Sequence, residues 1–318
     1  MARSATRPKL RRSTPRTSCC SFRGPRFSRR TVTEASGTIQ HVSDTARWVA
    51  LYRAMESERP DALFHDPYAR RLAGARGEQI LASLPKGRTW AWAMIVRTAV
   101  MDELILRAVA RDGVGTVLNL AAGLDTRPYR LPLAPSLRWI DVDFPDVIAY
   151  KKEQLAGERP ACALEQVGVD LTDPARRRAL FAQIGVGARQ VLVVSEGLLI
   201  YLTGEQVGAL ASDLAAQASF GWWLIDLASP GLLRMMARTW GRAVADNAPF
   251  RFAPPEGTQF FEPFGWREAE FRSTWEESLR LKRTMRLAWL WGLLGRLYPK
   301  RKREEFRRFS GIVLLGRR

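Results

Sequence analysis

Sulfur and imidazole are scarce in this chain. Three cysteines (Cys19, Cys20, Cys162) stand among 318 residues, which is no disulfide framework. With only His41 and His65 beside them, no Cys/His cluster has zinc spacing. A reducing compartment, cytoplasmic location and no metal are the expectations. No uninterrupted apolar run reaches the ~18 residues of a membrane-spanning helix. Acids are absent from the first 30 residues, which carry ten Lys/Arg, and scarce in residues 296–318, where nine Lys/Arg face Glu304 and Glu305. Residues 31–295 hold 31 basic and 30 acidic side chains, so the formal net charge of +18 belongs to the two ends. A nucleic-acid enzyme usually spreads positive charge over its working face, so the overall charge is a weak argument for one.

What is present is an apolar content of 46%, enough for one large core. Residues 1–36 are Arg, Ser, Thr and Pro without periodicity and read as a disordered basic tail. No apolar core of about 7–15 residues follows Arg29-Arg30, so an export signal does not fit. From Ser43-Asp44 the chain is patterned. One helix carries Ala46, Val49, Ala50 and Ala54. A second is capped by Asp66-Pro67 and stopped by Gly74, and a third runs from Trp90 to Ala110.

Strand-like runs follow at Thr116–Leu120, Leu137–Val142, Glu165–Val169, Gln190–Ser195 and Trp222–Leu227. Helices opened by Pro145, by Asp173-Pro174 and by a Thr203/Gln206 capping box lie among them. Val191–Val194 is apolar on both faces, as suits a central parallel strand. The pattern predicts a doubly wound α/β sheet, with Ser310–Leu315 as a last strand. Expected regions are a helical cap over 37–113, a ligand-binding core over 114–228, a helical lid over 229–309 and the last strand over 310–318. Leu287–Tyr298 has the composition of an interfacial membrane helix, but Gly292 and Gly295 favour a cover packed over the pocket.

In such sheets the ligand lies at the carboxyl ends of the strands. The first βα turn reads Leu120-Ala121-Ala122-Gly123-Leu124-Asp125-Thr126-Arg127, and its small residues let a ligand approach the backbone. Asp143 stands 20 residues past Gly123, at the end of the second strand, where an acid grips ribose hydroxyls. Thr126 replaces the third glycine of a dinucleotide loop, and Asp125 repels a pyrophosphate. A cationic ligand instead suits Asp125, Asp143, Asp170 and Glu196 at successive strand ends. S-adenosylmethionine, with its sulfonium, ribose and adenine, fits where NAD does not.

Five stretches then occur in order: Arg53-Ala54-Met55-Glu56-Ser57, His65-Asp66-Pro67-Tyr68-Ala69, the Ala-Ala-Gly-Leu-Asp-Thr-Arg loop, Asp141-Val142-Asp143-Phe144-Pro145 with Lys151, and Ser195-Glu196-Gly197-Leu198-Leu199-Ile200-Tyr201-Leu202. Together they resemble the leucine carboxyl methyltransferase family, in particular its bacterial branch of S-adenosylmethionine-dependent O-methyltransferases associated with polyketide-type chemistry. The resemblance implies a class I methyltransferase (Rossmann-like) fold and S-adenosylmethionine as cofactor. It assigns Asp143 to the ribose, Asp170 with Leu171 to the adenine edge, and Glu196 to the methionine end. Arg97, with Arg53, is assigned to the methionine carboxylate, which a guanidinium binds bidentately. Where the family usually has Gly-Ala-Gly, this chain has Ala121-Ala122-Gly123. If position 121 needs a positive φ, alanine costs on the order of 1 kcal/mol there.

Methyl transfer is an in-line displacement in which the enzyme chiefly supplies alignment. A carboxylate acceptor is already ionised at neutral pH, whereas a hydroxyl needs a base. Neither His41 nor His65 lies at a strand end, and His65 reads as a turn residue. Tyr201 is a packing residue or a hydrogen-bonding partner of the substrate. Trp240, Trp289 and Trp291 could shape an apolar pocket, though aromatics at helical spacing are more often core. The expected partner is a small-molecule acceptor with no obligate nucleic acid. The alternatives are an RNA-binding or RNA-modifying protein using the basic ends, or a non-catalytic member of the fold.

Overall fold

The computed structural model describes residues 1–2, 43–244, 249–285, 288 and 298–317. Backbone contacts divide the chain between Ala35 and Ser36, and the sheet with its covering helices belongs to the second unit. The basic tail from residue 3 onward, His41, Trp289, Trp291 and nearly all of Leu287–Tyr298 lie outside the described residues.

Helices α1 (Ser43–Ser57), α2 (Ala69–Ser83) and α3 (Ala91–Arg111) precede the sheet. Strands β1 (Thr116–Leu120), β2 (Arg138–Asp143), β3 (Ala163–Gly168), β4 (Val191–Ser195) and β5 (Phe220–Ala228) then alternate with α4 (Arg127–Arg130), α5 (Pro145–Gln154), α6 (Pro174–Gly185) and α7 (Gly204–Ala215). After β5 come α8 (Pro230–Val244), β6 (Trp266–Ser273), α9 (Thr274–Arg280), α10 (Lys300–Arg307) and β7 (Ser310–Arg317). The seven strands form one sheet in the order β3-β2-β1-β4-β5-β7-β6. The first five are parallel, and β7 lies antiparallel between β5 and β6.

Period-two alternation explains the two covered faces of the sheet. Leu118, Leu120, Val193 and Ile225 pack with Phe181 of α6 and Leu210 of α7. Val117, Trp139, Leu192 and Leu224 pack instead on Val96, Val100 and Leu104 of α3. A third cluster joins α1 and α2 to Trp240 of α8. Thr203 and Gln206 make the expected capping box, and Asp173 caps α6. Among the described residues no helix is long and apolar enough to cross a membrane.

Three local expectations change. Gly74 (φ 59°) does not end the second helix but kinks it, and helical structure continues to Ser83. Asp66 sits ahead of α2, which begins at Ala69: its Oδ1 accepts from the Tyr68 N–H in the turn that enters the helix, while its Oδ2 accepts from the Arg53 Nε and the Thr126 hydroxyl. The stretch after Pro230 also contains a strand. In β6 the alternation is masked by Arg267, Glu268, Glu270 and Arg272, and the register shifts between Glu268 and Glu270. Charge and a bulge are how an edge strand avoids pairing with another chain.

Candidate active site

The turn after β1 is bent tightly against the end of β2. Ala121 has φ 51° and Gly123 φ 50°, the left-handed region that an L side chain enters at a cost. Alanine therefore does occupy a strained position in the loop. A Cβ on Gly123 would come within 3.2 Å of the Ala46 Cβ. The Gly123 N–H donates to Asp143 Oδ2 at 2.6 Å, and the Phe144 N–H donates to Oδ1 at 2.7 Å. Burial pushes the Asp143 carboxyl above its ordinary pKa even though both backbone donors pull it down. Each oxygen keeps a further lone pair for a hydroxyl donor.

Arginines organise the centre. Arg127, only 1% exposed, donates from Nε to Asp102 at 2.6 Å and from Nη1 to both Asp125 and Glu196 at 2.7 Å. Arg97, on α3, reaches Glu196 and Asp226 at 3.0 Å each. The other Asp226 oxygen accepts from the Gly197 N–H at 2.6 Å. Glu196 is thus held between two guanidiniums. Burial alone would raise its pKa, but Arg127 and Arg97 outweigh that and hold it below the ordinary value. Asp125 behaves likewise: burial is overcome by Arg127, Lys151 and Arg130, and its carboxyl stays well below the usual range. Beneath the loop, Lys151 and Asp141 form a fully buried pair at 2.7 Å.

The residues singled out in the sequence meet around one cavity of about 700 Å³. Arg53, Arg97, Ala121, Gly123, Asp143, Asp170, Leu171, Glu196 and Tyr201 all line it. They are not equivalent. Asp125 and Glu196, expected to offer charge to a ligand, are engaged by arginines. Asp170 instead accepts from the backbone and hydroxyl of Thr172 in its own loop. The Leu171 carbonyl is fixed by Arg177, which is itself paired with Asp213. Arg53 donates to Asp66 and to the Leu124 carbonyl, leaving Nη1 without a partner among the described residues. The Tyr201 ring lies 5.9 Å from that of Phe250, and burial raises its phenol pKa despite a hydrogen bond with the Thr45 side chain and the nearby Arg97 charge. His65 is exposed in the turn before α2 and does not line the cavity.

Two central residues, Asp226 and Arg127, are not among the expected site residues, although Arg127 stands in the loop that carries the family resemblance. Asp226 is the lone acid in the apolar run of β5, and that isolation was its available signal. Arg127 ends the glycine-containing loop, where a basic residue looks solvent-facing until the fold buries it.

Comparison with known proteins decides the family. The Leucine carboxyl methyltransferase profile matches residues 46–215, more than half of the chain. The chain belongs to the leucine carboxyl methyltransferase family. A relative from Parafrankia sp., named provisionally as an S-adenosyl-L-methionine-dependent methyltransferase, is 34% identical over 248 residues, covering 73% of this chain and 79% of its own. A Mycolicibacterium gilvum relative with the same provisional name is 37% identical over 64% of this chain and 71% of its own. Among solved structures, a DUF574 family protein from Streptomyces avermitilis superposes with a TM-score of 0.56 at 13% identity, covering 86% of this chain and 97% of that one. At that identity the likeness concerns the fold, a class I methyltransferase sheet. Within this family member, a left-handed turn, a strand-end carboxylate with spare lone pairs and buried guanidiniums share one cavity. That donor set fits a ligand combining ribose, carboxylate and cationic groups.

Proposed function

We propose that this chain is a cytoplasmic S-adenosylmethionine-dependent O-methyltransferase whose acceptor is the carboxylate of a small molecule. S-adenosylmethionine supplies an electrophilic methyl carbon on a sulfonium, and an acceptor oxygen displaces the sulfur in line, the bonding pair leaving with sulfur. Asp143 holds the ribose hydroxyls, and the Ala121–Gly123 backbone lies against the nucleoside. The Asp170–Leu171 turn holds the adenine edge. Arg97, with the spare nitrogen of Arg53, orients the methionine carboxylate, while Glu196 and Asp226 favour its ammonium. The carboxylates around Arg97 and Arg127 slightly outnumber the cations, which suits a ligand with a net positive charge.

The observation that carries the choice of acceptor is the clamping of the central acids. Glu196 and Asp125 are held ionised by arginines, so neither is tuned towards neutrality as a general base is. The Tyr201 phenol keeps its proton at neutral pH, which makes it a hydrogen-bond donor to the acceptor rather than a base. The described residues lining the cavity include neither histidine nor lysine. An acceptor that arrives ionised requires no proton removal, and among oxygen nucleophiles that is a carboxylate.

The test is to incubate the protein with S-adenosylmethionine and matched panels of carboxylic acids and phenols. Methylated products cleaved by mild base are esters and support the reading. Base-stable methyl ethers formed at higher rates from the phenols overturn it.

A further inference from the structure

The cavity extends well past the groups assigned to the cofactor. It touches the carboxyl end of β2 at Asp143 and the loop after β3 at Asp170, and it reaches Ser310, where β7 begins. The register Ala228↔Ser310 sets that point beside the carboxyl end of β5. At ~4.8 Å per strand, the path from β3 to β7 is about 24 Å long.

The far part changes character. Helix α8 turns Leu232, Met235, Met236 and Trp240 towards the cavity, while Arg234 and Arg238 are exposed. At ~1.5 Å per residue, the stripe from Leu232 to Trp240 is about 12 Å long. Met94 and Met285 face the same space from α3 and from the segment after α9. Thioether side chains adapt to irregular or variable partners. Phe306 lines the cavity and is yet 50% exposed, so this end opens to solvent. Among the described residues the uncharged polar groups found there include the Thr274 hydroxyl, which donates to Ser310 Oγ at 3.0 Å, and the Trp90 indole N–H beside Trp240. A charged ligand body would find no charged partner among the described residues of this section and would lose its hydration.

We infer that the acceptor is an amphipathic acid with an extended, flexible apolar chain, its carboxylate near Tyr201 and its chain along the methionine stripe of α8 towards Phe306. The inference rests on the carboxylate reading for the reacting end only. The chain compartment follows from the lining residues whichever oxygen reacts.

The experiment measures binding of straight-chain carboxylates from hexanoate to hexadecanoate, below their micelle concentrations, by calorimetry in the presence of S-adenosylhomocysteine. Benzoate and 2-naphthoate serve as compact comparators. Affinity should climb two- to fourfold per added methylene, about fourfold being the ceiling for complete burial, until the chain reaches the open end, where it levels off. Met236→Glu should abolish that climb, and the milder Met236→Ser should flatten it. S-adenosylhomocysteine affinity and the thermal midpoint, unchanged in at least one variant, show that the fold survives. Affinity independent of chain length, or tighter binding of the compact acids, overturns the inference. If chains bind with the expected climb but yield no base-labile ester, the carboxylate reading fails and the compartment stands. If compact acids alone are esterified, the reverse holds.

Discussion

The two halves of the cavity are built on opposite principles. Over β1, β2 and β4 the walls are charged, and nearly every carboxylate is fixed by an arginine, a lysine or a backbone N–H. Beyond Asp226, from the end of β5 to β7, the walls are mainly thioether, indole and phenyl groups with no charged side chain among the described residues, and the Thr274 hydroxyl is spent on Ser310. The first half suits a ligand whose groups recur from one relative to the next. The second suits a partner recognised by shape and apolar area. On the proposed reading, a rigid polar cradle beside an adaptable apolar channel would let one kind of chemistry serve different acceptors.

The sharpest way to break this contrast is to remove the cation that ties the polar half together. Arg127→Met leaves Asp102, Asp125 and Glu196 short of a partner in a buried setting. Breaking a buried pair from one side costs about 3–5 kcal/mol. For a domain of this size the thermal midpoint should fall by on the order of 10 °C, read by calorimetric melting. An equivalent apolar change at Met236 should cost far less.

Cofactor affinity provides the next test. Asp143→Ala removes charge-assisted hydrogen bonds worth ~1.5–3 kcal/mol, so S-adenosylmethionine should bind about ten- to a hundredfold more weakly in titration calorimetry. Binding of apolar chains should be unaffected. Unchanged cofactor affinity would move the ribose away from β2.

Acid sensitivity should follow the polar half too. Glu196 is held below the ordinary carboxylate pKa of ~4.3 in the folded state. Its contribution to stability is therefore complete above that value and is lost as pH falls through the lower folded pKa. Arg97→Gln takes away one of the two guanidiniums and lets the Glu196 pKa rise. Acid unfolding followed by circular dichroism should then begin at a higher pH than in the parent protein.

The smallest effect is expected at Ala121. Glycine there removes a left-handed strain of roughly 1 kcal/mol, partly offset by the greater freedom it gives the unfolded chain. Ala121→Gly should bind S-adenosylmethionine equally well or up to about fivefold more tightly, with a slightly raised thermal midpoint. A large loss of affinity would mean that the methyl group itself contacts the ligand.

The polar half is also the more legible one. Acids at strand ends stand out against apolar strands, so Asp143, Asp170 and Glu196 can be picked out of the sequence alone. Which of them an arginine engages cannot, because Arg97 meets Glu196 across 99 positions of sequence. The apolar half hides behind a general ambiguity: Leu232, Met236 and Trp240 at helical spacing look the same whether they face a core or a cavity. Strand β6 is obscured by its charges, and the kink at Gly74 by the usual habit of glycine to end a helix.

Strand β7 follows β6 in the chain yet lies between β6 and β5. During synthesis, β5 and β6 therefore both emerge before the strand that separates them. Until β7 inserts, each presents an unsatisfied edge, and the two could pair with each other or with a neighbouring molecule. Ser310, at the start of β7, also borders the open end of the channel. The proposed acceptor compartment is thus completed by the same late insertion that pairs the open edge of β5, so a nascent chain able to admit an acceptor has also covered that strand.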